Sequence, residues 1–192
     1  KTWKGCDFAG GGDYEKGIAR NVIAEIFPPR SAAEIEEERQ KGIDTIEKAE
    51  ILNLIPMHFM CLACFHKDGK KLGHINEDLL FEVWEKIRKN PDIPVRIVRK
   101  DCMVCKSCKL FNPTLKMCLH GGKIGAELRQ LQKELNILQI LELEFGDIVP
   151  ASKLFKLVRE RIPSNYKICA YNSGIITAPE WLICSYEIPP EG

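Results

Sequence analysis

The stretch Val95-Arg96-Ile97-Val98-Arg99-Lys100-Asp101-Cys102-Met103-Val104-Cys105-Lys106-Ser107-Cys108 decides how this chain is read. Its first four residues alternate and are rich in β-branched side chains, the pattern of a short strand. That strand feeds directly into Cys-x-x-Cys-x-x-Cys, and Cys118 follows. Upstream stands a further pair, Cys61-x-x-Cys64. Two intervening residues let both sulfurs face one point while backbone amides stay free to donate to them. Bacterial ferredoxin motifs use this interval and take the remaining ligand from elsewhere. Zinc more often takes two well-separated pairs. The spacing therefore predicts a metal centre drawn from Cys61, Cys64, Cys102, Cys105, Cys108 and Cys118, with a [4Fe-4S] cluster favoured over zinc. Spacing alone selects Cys102, Cys105, Cys108 and Cys118.

Outward from this run, the chain is punctuated clearly. Asn76 is expected to cap a helix reaching about Lys89, with Leu79, Leu80, Val83 and Ile87 on one face, and Asn90-Pro91 ends it. Ile55 to Cys61 is apolar and expected to be buried. Gly121-Gly122 closes the cysteine run. A helix over about 124–141 follows, with Leu128, Leu131, Leu135 and Leu138 at heptad-like spacing, a stripe for core or helix pairing. Gly146 starts a turn, and Pro150 opens another helix ended by Pro163. Residues 164–192 read as short strands and loops. At the other end, Gly10-Gly11-Gly12 makes a loop and Asp13 caps a helix over 14–27. Ser31 and Glu34 form a capping box for a charged surface helix over about 32–49. The expected fold class is α+β, mainly helical with a few short strands around a cysteine-ligated metal site. The expected organisation is an N-terminal helical extension over 1–50 and a cysteine-rich domain over 51–192.

Bulk properties narrow the function. A chain of 192 residues can bury a real core without a metal. Its net charge of +1 argues against bulk phosphate neutralisation, so a nucleic-acid partner is not expected. The longest apolar stretch, 51–65, is broken by Asn53, Pro56 and His58, so no membrane span is expected. Nine cysteines, an odd number, fit metal ligation in a reducing, cytoplasmic setting better than a disulfide framework. The chain opens at Lys1 rather than methionine, and sequence upstream of it is expected.

Residues from about Leu54 to Ala170 resemble a small, functionally uncharacterised, cysteine-rich prokaryotic family. The matching stretches are Met57-His58-Phe59-Met60-Cys61, then Pro91 to Val98, then Cys105-Lys106-Ser107-Cys108, Cys118 and Gly146-Asp147-Ile148-Val149. The resemblance implies an iron–sulfur cluster with cofactor ligands Cys61, Cys105, Cys108 and Cys118. This chain departs from the family pattern at Met57, where a first histidine is usual, in the extra Cys64 and Cys102, and in its added N-terminal segment. The two ligand sets differ over Cys61 against Cys102. Clusters normally draw a ligand from a distant part of the chain, which favours Cys61.

His58, three residues before Cys61, is the candidate acid–base residue, and equally a candidate ligand or sulfur hydrogen-bond partner. Lys100, Lys106, Lys109 and Lys116 surround the cysteines and would favour thiolates. Cys6, Cys169 and Cys184 are isolated and read as core residues. The expected function is electron transfer with a redox partner protein, or cluster-dependent chemistry on a small-molecule ligand. The alternative is a structural zinc module that binds a protein or nucleic acid.

Overall fold

A computed structural model describes residues 28–68, 78–118, 126–162 and 166–169, with residues 12, 16, 19 and 164. The fold is α+β and mainly helical, as expected. The chain divides into two compact units, 1–30 and 31–192. In the first, Lys16 and Ala19 are helical, and Lys16 N donates to Gly12 O at 3.0 Å. All elements below belong to the second.

Helix α1 spans Ala32–Lys48 and starts on the expected capping box: Ser31 N donates to Glu34 Oε2 at 2.8 Å, and Glu34 N donates to Ser31 Oγ at 3.2 Å. The helix is charged on most of its surface, yet Ile35, Gly42 and Ile46 are buried. Ile46 enters the main core, so α1 packs with the cysteine-bearing unit. The boundary between the compact units falls after Arg30. Gly42 lets α1 approach closely: a Cβ there would stand 2.2 Å from Leu79 Cδ1.

Strand β1, Leu52–Leu54, leads into helix α2, Pro56–Asp68. Helix α3, Leu80–Lys89, returns the chain to β2, Pro94–Ile97, which pairs parallel with β1. A parallel pair needs such a long crossover, because a tight turn can only reverse the chain. Asn76, the expected cap of α3, lies outside the described residues. Asp78 Oδ1 accepts from Leu80 N at 3.0 Å at the start of that helix. Leu80, Val83 and Ile87 form its buried stripe.

The cysteine run follows β2 and contains a 3-10 turn, Met103–Cys105. Strands β3, Phe111–Asn112, and β4, Met117–Cys118, then form a small antiparallel hairpin. Helix α4, Ala126–Leu141, β5, Ile148–Pro150, helix α5, Ala151–Arg161, and a short turn of helix, α6, Tyr166–Cys169, complete the described chain. β5 pairs antiparallel with β2, which gives the sheet order β1-β2-β5. Its start is set by Gly146, whose φ of +102° suits glycine, and Gly146 N donates to Ile97 O at 2.8 Å.

The core sits where α2, α4 and α5 meet the sheet. Phe59, Met60 and Leu62 of α2 pack with Val95, Ile97, Leu154 and Phe155. On α4, Ile137, Leu138 and Leu141 are buried, while Leu128 is 71 % and Leu135 49 % exposed. The heptad stripe therefore covers the core only at its end. The buried face of α4 runs through Glu134, Ile137, Leu138 and Leu141 instead. Among the described residues no helix is long and apolar enough to cross a membrane.

Candidate metal centre

The three cysteines of the run sit on successive backbone turns. Cys105 N donates to Cys102 O at 3.2 Å, Cys108 N to Cys105 O at 3.0 Å, and Phe111 N to Cys108 O at 2.9 Å. A three-residue repeat closed this way holds the sulfur-bearing positions by main-chain bonds. Val104, fully buried, anchors the turn and accepts from Leu79 N at 3.2 Å. Asp101 and Lys116, with φ of 60° and 52°, mark the sharp bends before and after the run.

Helix α2 brings His58 to this loop. His58 Nδ1 lies 3.1 Å from Cys102 Sγ and 3.9 Å from Cys105 Sγ. One donor atom from each of His58, Cys102 and Cys105 lies within 4.8 Å of the others, the one such group among the described residues. Proline at the first position of α2 tolerates the missing N–H there and sets where the helix begins. Two residues on, His58 is aimed at the cysteine turns.

Charge is arranged tightly around these atoms. Burial opposes ionisation of Cys102, but the Cys105 thiol, the His58 ring and the Ile55 backbone all hydrogen-bond to its sulfur, and its pKa falls well below the ordinary thiol value. Cys105 goes the other way: donating to Cys102 and being buried beside other thiols, Cys108 and Cys118 included, pushes it well up. Burial also opposes a charged His58, yet Cys102, Asp78 and Glu134 together raise its pKa. Burial lifts Asp78 to about 6 and Glu134 to about 7. The two sulfur atoms thus differ: the surroundings favour the thiolate form of Cys102 and the thiol form of Cys105, with the His58 ring beside both.

The structure brings together three residues that the sequence singled out, His58, Cys102 and Cys105. Cys118, in β4, lines the same cavity as Cys102 and Cys105 but stands outside the compact group. Cys108 is half-buried on the next turn and close enough to Cys105 to disfavour its charge. Cys61 and Cys64 are half-buried farther along α2, packed against the hydrophobic core and outside the group. Cys169 also packs against the core, as expected, whereas Cys6 and Cys184 lie outside the described residues. Lys100 and Lys116 line the cavity.

Glu134, Gln130, Arg99 and Asp78 also surround the site, and the sequence reading missed them. Glu134 carried a usable signal, a lone carboxylate among the apolar residues Leu131, Leu135, Ile137 and Leu138 of an amphipathic helix. Comparison with known proteins finds no family model, curated protein or solved structure that matches this chain.

Proposed function

We propose that this chain is a metal–thiolate protein whose centre is built on His58, Cys102 and Cys105. The observation that supports this reading is the convergence of their donor atoms within 4.8 Å. Bonds of about 2.0–2.3 Å to a tetrahedral ion put nitrogen and sulfur donors about 3.5–3.8 Å apart. The His58 contacts, at 3.1 and 3.9 Å, bracket that separation. The donor set suits a single thiophilic ion, zinc or iron, with the fourth position facing the cavity or filled by Cys118. Three protein donors with an open position is the arrangement of sites that bind or activate a small molecule. Thiolate and neutral imidazole are the ligating forms, so ion binding would release the protons that these groups hold in the metal-free chain.

A [4Fe-4S] cluster in an electron-transfer role is the second reading, favoured by a different observation. Cys108 and Cys118 both act on Cys105, and Cys118 shares the cavity wall with Cys102 and Cys105. Four thiols around one region are what a cubane cluster uses. A cytoplasmic location fits either centre, because thiolate sites need a reducing setting.

Protein purified without oxygen, with metal and acid-labile sulfide assays and an absorption spectrum, tests both readings. Cys105→Ala is expected to lose the metal in either case. His58→Ala is expected to lose it with a single ion and retain it with an all-thiolate cluster. Cys108→Ala is expected to do the reverse. A metal-free wild-type protein, or full metal retention in Cys105→Ala, overturns the proposal.

A further inference from the structure

Beside the sulfur atoms lies a cavity of about 60 Å³. That is room for about four to six water positions. Its charge is graded with depth. The outer wall carries three exposed cations, Arg99, Lys100 and Lys116, against a single exposed acid, Asp101. The inner wall carries Cys102 and Glu134, each only 3 % exposed. Gln130 Nε2 donates to Glu134 Oε1 at 2.8 Å and orients that carboxylate. Phe111 and Leu131 close the sides with apolar surface.

A simple anion would be drawn to the rim and would meet the Glu134 carboxylate inside. A simple cation would meet three positive charges on entry. A short molecule with its negative end outward and its positive end inward satisfies both walls. We propose that this cavity binds a small zwitterion, an α-amino acid of glycine or alanine size, with its carboxylate at Arg99 and Lys116 and its ammonium group at Glu134. Arg99 is suited to the outer contact because its planar fork matches a carboxylate. An ammonium group beside Glu134 would place a counter-charge against a carboxylate that burial keeps from solvent. The inference goes beyond the metal-centre reading and takes from it only the sulfur atoms as part of the inner wall.

NMR titration of the full chain with glycine tests it, with acetate and methylammonium as half-molecule probes and metal content measured on the same samples. Glycine is expected to saturate, and each half-probe to bind at least about tenfold more weakly. Arg99→Gln and Glu134→Gln are each expected to weaken glycine about tenfold or more, the scale of one charge-assisted hydrogen bond. Arg99 is exposed, so its variant still reports if Glu134→Gln fails to fold. Acetate binding as tightly as glycine overturns the proposal, as does wild-type glycine affinity in Arg99→Gln or no saturable response at all. A metal-free protein that binds glycine in the expected pattern would sink the metal centre and support the zwitterion site. A metal-loaded protein indifferent to glycine would do the opposite.

Discussion

A single carboxylate, Glu134, carries much of the electrostatic tension in this molecule. Its ordinary pKa of 4.5 rises to about 7 on burial, so in the metal-free fold it holds a proton that the unfolded chain has already lost. The associated stability is present below about 4.5 and disappears as pH rises through 7. Asp78 adds the same trend between 3.8 and about 6. Metal-free protein is therefore expected to lose stability between about pH 4.5 and 7, by about 3 kcal/mol at most from Glu134. Urea titrations across that range should show the slope, and Glu134→Gln should flatten it. A slope unchanged in Glu134→Gln would remove Glu134 as its source. At this scale the sequence was legible in part. The sulfur-bearing positions were visible because Cys-x-x-Cys spacing is a local property. That His58 meets Cys102 was not, because it depends on how far α2 rotates its successive residues toward a loop 44 positions away.

The secondary-structure elements follow local chemistry closely where that chemistry is strong. The capping box at Ser31 and Glu34 appears as expected, and Ser31→Ala should cost about 1 kcal/mol in chemical denaturation. The α3 stripe and the start of α5 just after Pro150 were likewise readable from period and proline. Short strands were harder. β1 and β5 each have three residues, too few for alternation to stand out, and they exist because β2 lies between them. The α4 heptad misled for a related reason: a repeat of leucines identifies an apolar side without saying which part of it meets other elements. Phe59 on α2 is fully buried in the core. Phe59→Ala should cost about 3–5 kcal/mol, read as a shift in denaturation midpoint. A cost under about 1 kcal/mol would mean that α2 is not packed as described.

The unit over 31–192 holds its own core, and every residue of that core lies at or beyond Ile46. Deleting residues 1–30 should leave a cooperative thermal transition. A non-cooperative melt would show that the two units depend on each other. The charge of α1 suggests a surface helix, and a few apolar residues, Ile35, Ile43 and Ile46, tie it to this unit. Removing the proposed metal with a chelator should lower the melting temperature by about 2–4 °C for each kcal/mol of binding free energy lost, without unfolding the chain at room temperature. Topology adds a constraint in time. His58 in α2 and Cys102 just after β2 are separated by 44 residues, with α3 and β2 between them. No local fluctuation of the unfolded chain brings them together cheaply, because closing so long a loop comes before the contacts that reward it. The proposed centre would consequently be assembled late, after the parallel strands have found each other. A nascent or partly folded chain would present loose thiols to passing ions, but not yet the juxtaposed imidazole and thiols of the folded protein.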